Sequence, residues 1–273
     1  MRLMKQNINR RVEKDMSTVR MAATVLRQEP IGTGIFSMVL DAKEIAGSAV
    51  PGQFVNLYSK DGARLLPRPI SLCDINSEEG TLRLVYRVAG KGTDEFSKLT
   101  AGETIDIMGP LGNGFTMKSG KAILMGGGIG IPPMLELAKE LAGKADTEVQ
   151  VVLGYRDETF LDGEFAKYAK VYYASEDGRH GVKGNVMNAM EEYGITGDVI
   201  YACGPMPMLR AIKNYALEHG LEAQLSFEEK MACGIGACLA CVCKSKEKDE
   251  HTNVNNKRVC KDGPVFDARE VEF

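Results

Sequence analysis

"KAILMGGGIGIPPMLELAKELAG", residues 121–143, decides the fold. The first part, "KAILMGG", is a short apolar run that ends in glycines and reads as a buried strand. The second, "PPMLELAKELAG", has apolar residues at helical spacing and reads as a helix. A strand that turns through glycines into a helix is the opening unit of a doubly wound sheet. Glycines there let the backbone approach a pyrophosphate, and the helix start offers N–H donors and the positive end of its dipole. Pro132 or Pro133 suits the first helical turn, where a missing N–H costs nothing. The match to G-x-G-x-x-G is partial. Gly126 and Gly128 fit, Gly127 and Gly130 complete the loop, and Ile131 occupies the third glycine place. No acid stands in a clean position about 20 residues on. By itself, the loop also reads as a plain tight turn.

Outward from this stretch the rhythm repeats. "TEVQVVLGY", "KVYYASE" and "DVIYACG" read as strands, and "DGEFAKYA", "GNVMNAMEEYG" and "MPMLRAIKNYALEHG" as helices. Strands alternating with helices predict a parallel α/β domain over residues 119–225. "YACGPMPML", residues 201–209, repeats the strand–turn–helix design, with Cys203, Gly204 and Pro205 at the turn. Arg156, after the second strand, reads either as a partner for a ribose phosphate or as a surface residue.

Before residue 119 the pattern is different. "GIFSMVL", "GQFVNLYS", "TLRLVYRV" and "ETIDIMG" are short apolar or alternating runs bounded mostly by Gly or Pro. They predict a small antiparallel barrel over residues 18–118, with one helix at "DEFSKLTA". Residues 1–17 have basic groups but no continuous apolar core. They read as an N-terminal extension and not as a secretory signal. No apolar run approaches the roughly 20 residues that span a bilayer. A net charge of −3 shows no electrostatic footprint for nucleic acid. The expected location is the cytoplasm, with neither membrane nor nucleic acid as a partner.

Residues 226–273 form a third, loop-rich segment with too little apolar content for a core of its own. Something other than burial must order it. "CGIGACLACVC", residues 233–243, packs four of the seven cysteines into eleven residues. An odd count and a crowded loop in a cytosolic chain favour a metal or redox site over a disulfide framework. Cys233, Cys238 and Cys241 are spaced C-x4-C-x2-C, and Cys260 follows later. This is the plant-type spacing for a [2Fe–2S] cluster. Gly234 and Gly236 allow the loop to pass close to the sulfurs. A zinc ribbon would want two C-x2-C knuckles, and only Cys238 and Cys241 make one. Zinc and a thiol redox loop are the alternatives. Cys243, one residue from Cys241, reads as a spare buried thiol, and Cys73 as a small apolar residue.

"LPRPISL", residues 66–72, holds Arg68 stiffly between prolines, and a guanidinium suits a pyrophosphate. Joined to "VYRVAGKGT", residues 85–93, to "GGGIG", to "CGP" and to the cysteine spacing, it becomes specific. In this layout the chain resembles the ferredoxin–NADP reductase superfamily. With its C-terminal cysteines it is similar to the electron-transfer subunits of NAD-dependent dihydroorotate dehydrogenases, over roughly residues 18–270.

The resemblance implies an α+β multidomain protein. It would have an antiparallel β-barrel FAD domain, a doubly wound nucleotide domain and a small C-terminal [2Fe–2S] segment. FAD would meet Arg68, Pro69, Ile70, Ser71, Val85, Tyr86, Arg87, Gly92 and Thr93. NAD(H) would lie by Gly126, Gly127, Gly128 and Gly130, and by Cys203, Gly204 and Pro205. Cys233, Cys238, Cys241 and Cys260 would hold the cluster. Electrons would pass between NAD(H), FAD and the cluster, to or from an FMN-bearing dihydroorotate dehydrogenase chain of pyrimidine biosynthesis, two copies of each chain together. The cofactors carry this chemistry, so no catalytic side chain is named. Two other readings compete: a subunit of an NADH-dependent ferredoxin:NADP oxidoreductase complex, and a zinc-bound interaction protein that is not an enzyme.

Overall fold

Alternation in the first third of the chain closes a barrel. In the computed structural model, which describes residues 18–248 and 253–272, this part comprises β1 (Val19–Gly32), β2 (Ile35–Asp41), α1 (Lys43–Ala46), β3 (Phe54–Tyr58), β4 (Arg68–Asn76), β5 (Thr81–Arg87), α2 (Lys91–Phe96) and β6 (Thr104–Leu111). The strands close in the order β1-β2-β5-β4-β3-β6, every pair antiparallel. Successive side chains on a strand point to opposite faces. Val55 and Leu57 of β3 therefore enter the barrel core with Leu72, Leu82 and Leu84. Phe54 packs outside, in a different core. The expected N-terminal extension lies outside the described residues. So does part of the polar stretch between Cys243 and Cys260.

The second part follows the expected alternation: β7 (Gly120–Gly127), α3 (Pro132–Ala142), β8 (Thr147–Tyr155), α4 (Asp162–Phe165), β9 (Lys170–Ser175), β10 (Val182–Lys183), α5 (Val186–Glu192), β11 (Val199–Cys203), α6 (Met206–Glu218) and β12 (Glu222–Ser226). The last part adds β13 (Val242–Ser245), β14 (Asn256–Arg258), β15 (Val265–Asp267) and β16 (Val271–Glu272). The large sheet runs β10-β9-β8-β7-β11-β12-β15, parallel except for β15. Strand order reverses beside β7, and ligands of open α/β sheets bind in the crevice beyond the strand ends at such a point.

Two expectations need correction. The helix placed at "DEFSKLTA" instead spans Lys91–Phe96. Thr93 Oγ1 accepts from the N–H groups of Ala89 (2.9 Å) and Gly90 (3.2 Å), anchoring a helix start that glycines hide from a propensity reading. The third segment is also ordered partly by burial. Phe227, Cys241, Val259, Cys260, Phe266 and Val271 join the core under the large sheet, and β15 extends that sheet. These residues are scattered singly, so no period announced them.

The barrel and the sheet are clamped together. Ile35, Cys73, Val85 and Phe115 of the first part share one core with α3 and β8. Both terminal guanidinium nitrogens of Arg83 donate to Glu164, at 2.6 and 3.0 Å. Glu136 of α3, 2% exposed, accepts from the Ile75 N–H at 2.8 Å. Lys139 beside it reaches Asp74 at 2.9 Å.

Candidate functional site

Two cavities and one loop make up the site. The first cavity, about 520 Å³, opens at the carboxyl ends of β7, β8 and β9. Gly127, Gly128 and Pro205 line it, with Arg156, Asp157, Glu158 and Glu176 at its polar side. Arg156 thus belongs to the cavity, in company with three acids. Glu158 also accepts from the Thr33 N–H at 2.9 Å, so the β1–β2 hairpin closes one wall. Gly126, Gly130, Cys203 and Gly204 do not line this cavity. A Cβ on Gly130 would overlap the Cys203 carbonyl, and one on Gly204 would meet the Met208 side chain. Their small size lets the two turns touch. Burial pushes the Cys203 thiol well above its usual range, so it is no ready nucleophile.

The second cavity, about 330 Å³, lies between the barrel and the third segment. Arg68, Pro69, Ile70, Ser71, Val85, Tyr86, Arg87 and Thr93 all line it. Gly92 does not, but a Cβ there would sit 2.7 Å from Arg68 Nε. The absent side chain seats the guanidinium. Arg68 Nη1 donates back to the Leu66 carbonyl at 2.5 Å. A stiff cation beside an apolar slot fits a flavin nucleotide, with pyrophosphate on the cation and ring in the slot. Arg87 lines both cavities, so the two meet at its side chain. Phe54, Ile129, Phe227, Glu228, Glu229, Met231 and Pro264 also line the second cavity. Motif reading missed them because the chain returns from a distance to place them. The Glu228 side chain opens to the cavity, yet the protein packed around it raises its pKa and Arg87 draws it back.

The segment after Phe227 runs directly from this cavity into the cysteine loop. There the sulfurs lie close enough to influence one another, Cys233 with Cys238, and Cys260 with both Cys241 and Cys233. Among the described residues, no three His, Cys, Asp or Glu side chains gather around one point as ligands of a single ion. Four thiols, three at C-x4-C-x2-C spacing and a later fourth, fit a two-iron cluster. Backbone N–H groups point at the sulfurs. Gly236 donates to Cys260 at 3.0 Å, Ala237 to Cys233 at 3.3 Å, and Cys260 to Cys241 at 3.4 Å. Both Gly234 (φ +71°) and Gly236 (φ +83°) take the left-handed backbone this wrapping requires. Burial raises the Cys233 thiol, but hydrogen bonds from Ile235, Cys238 and Ala237 outweigh it and bring the thiol down to about 6. Burial pushes Cys260 up to about 12. A bound metal would be needed to hold this group as a thiolate. Cys243, on β13, is half-buried rather than fully buried, and burial raises it to about 11. Cys73 is fully buried, as expected.

Comparison with known proteins agrees with this geometry. Residues 25–115 match the oxidoreductase FAD-binding domain, residues 124–214 the oxidoreductase NAD-binding domain, and residues 228–272 the iron–sulfur cluster binding domain of dihydroorotate dehydrogenase B. The dihydroorotate dehydrogenase B (NAD(+)) electron transfer subunit of Geobacillus sp. (strain WCH70) is 44% identical over 91% of this chain and 96% of its own. That of Bacillus cereus (strain B4264) is 41% identical over 90% and 96%. Among solved structures, the NADH-dependent reduced ferredoxin-NADP oxidoreductase superposes with a TM-score of 0.82 at 29% identity, covering 92% of this chain and 89% of that one. The chain belongs to the family of dihydroorotate dehydrogenase B (NAD(+)) electron transfer subunits.

Proposed function

We propose that this chain carries electrons between NAD(H) and an FMN-bearing dihydroorotate dehydrogenase chain of pyrimidine biosynthesis, in an assembly with two copies of each. It is an oxidoreductase electron-transfer subunit with FAD, NAD and iron–sulfur binding domains. The observation that carries the reading is continuity. Arg87 joins the two cavities, and Met231, which lines the second, lies two residues before Cys233.

When bound, FAD accepts hydride as an electron pair and gives electrons up singly, and the cluster carries them one at a time. The protein's residues bind and orient. Gly127 and Gly128 give the nucleotide's pyrophosphate close backbone approach. Asp157, Glu158 and Glu176 give the polar end of that cavity an excess of negative charge, which suits ribose hydroxyls and repels a 2′-phosphate. Arg68 takes the flavin pyrophosphate, Ser71 offers a hydroxyl, Thr93 fixes the Gly90 turn beside them, and Phe54 and Phe227 exclude water. Cys233, Cys238, Cys241 and Cys260 would hold the cluster. We assign three working units: a barrel at residues 18–118, a nucleotide unit at 119–225 and a cluster unit at 226–273. No helix among the described residues is long and apolar enough to cross a membrane.

The test is co-expression with a dihydroorotate-oxidising chain. Co-elution as a four-chain species that reduces NAD+ with dihydroorotate is expected. Elution of this chain alone, with NADH-driven reduction of ferredoxin or NADP+, favours a second reading. The superposition on the ferredoxin-NADP oxidoreductase makes that reading worth the same assay. The iron–sulfur family match and the two cavities speak against a zinc-bound, non-enzymatic role.

A further inference from the structure

Asn56 is completely buried on the outward side of β3. Its Nδ2 donates to the Cys233 carbonyl at 3.2 Å, and its Oδ1 is buried with no hydrogen-bond partner. The Cys233 carbonyl can only accept, which fixes the direction of the amide. Buried side-chain amides are ordinarily paired at both ends. A leucine of the same shape would fill this place without an orphaned oxygen. The donor half therefore has a use that offsets the unpaired half. A Cβ on Gly234 would overlap Asn56 Nδ2, so the amide sits directly against the cluster loop.

The surroundings say what that use is. Asn56 pairs across the sheet with Pro69, in the strand that carries Arg68 and Ser71. Phe54, two residues earlier on the same side of β3, lines the flavin cavity. A strand puts these two about 7 Å apart. On the facing segment, Met231 lines the same cavity, and Cys233 follows within about 7 Å of chain. Two short spans therefore lead from the cavity to the first cluster cysteine, and the Asn56 amide ties them together.

We propose that Asn56 is a positioning residue for electron transfer, fixing the cluster loop at Cys233 to the flavin-binding strand and so setting the gap between flavin and cluster. The proposal rests on the relay reading above. Each NADH that becomes NAD+ yields two electrons and one proton. The cluster takes electrons singly, so two crossings of this gap clear one NADH, and the proton goes to solvent.

The test uses the full chain purified without air. Asn56→Leu keeps the shape and loses both polar atoms, and Asn56→Asp keeps the shape and replaces the donor. Flavin and iron content, the electron paramagnetic resonance signal of the reduced cluster, and stopped-flow bleaching of flavin and cluster bands after NADH are recorded. In both variants FAD and iron stay near parent levels and flavin bleaching stays within about twofold, while cluster reduction slows about tenfold or more and the resonance signal shifts. An unchanged cluster rate and signal overturns the proposal. So does equal slowing of both phases, or joint loss of FAD and iron, each of which marks an ordinary folding role. A parent chain that holds flavin but no iron contradicts the relay reading itself and removes this proposal with it.

Discussion

The turn at residues 126–130 and the loop at residues 233–241 are both rich in glycine and both shaped around a ligand, yet different forces hold them. The first is pressed into the core. Leu124, Ile131 and Met134 around it are fully buried, and Gly130 lies against the Cys203 carbonyl. The second lies at the surface with no regular structure. Cys238 is exposed, and Ile235 and Leu239 are 49% and 50% exposed. Its internal ties are N–H bonds to sulfur. Burial alone can therefore order the nucleotide turn, whereas burial holds the cysteine loop only at Gly234 and Cys241, and its exposed stretch would need the cluster.

Substitutions in the two loops should therefore have different consequences. The largest effect is expected from Cys241→Ser. Iron is lost, electron delivery beyond the flavin falls by roughly 100-fold or more, and NADH still bleaches the flavin. Limited proteolysis then cuts first within residues 228–248, while the barrel and large sheet stay intact. Simultaneous collapse of all three parts would show that the loop is ordered like the rest. Next is Gly130→Ala, which overpacks the buried turn and costs about 2–3 kcal/mol. Thermal unfolding should drop by several degrees with iron content unchanged, and an unmoved transition would mean the two turns do not need their close approach.

Burial also leaves a pH signature. Desolvation raises the Glu136 carboxyl to about 7, against the pull of the Ile75 N–H and Lys139 and with the push of Asp74. In the unfolded chain the group ionises near 4.5. Between these values the folded state holds more protons, so stability falls as pH rises from about 4.5 to about 7. Glu136→Gln should flatten that slope and gain on the order of 1–3 kcal/mol at pH 8. Urea unfolding at pH 5.5 and pH 8 reads it directly, and an unchanged slope would place the burden elsewhere. The smallest effect is expected from Cys243→Ala: less than about 1 kcal/mol, with full iron content. Loss of iron there would reassign a ligand.

What the amino-acid sequence disclosed follows the same division. β7, α3, β8 and β11 were legible because their apolar runs are continuous and end at glycines. β12 was not, since "EAQLS" is only five residues with two apolar ones, close behind a helix and with no glycine at its end. Arg68, Ser71, Arg87 and Thr93 were legible as cavity residues because they sit in compact local motifs. Phe54, Glu228, Met231 and Pro264 were not, because only the closed chain brings them to the flavin cavity. The cysteine spacing named the cluster, but the backbone N–H groups of Gly236, Ala237 and Cys260 aimed at the sulfurs needed the fold. Asn56 carried no signal at all: an Asn in a strand announces neither burial nor a partner 177 residues away.

The most direct test of the relay is the visible absorption spectrum of the chain purified without air, before and after NADH, with iron counted. Flavin bands on a broad cluster absorption, both bleaching with NADH and with two irons per flavin, are the predicted result. Flavin bands that bleach over an iron-free protein, or a protein without flavin, would contradict the account.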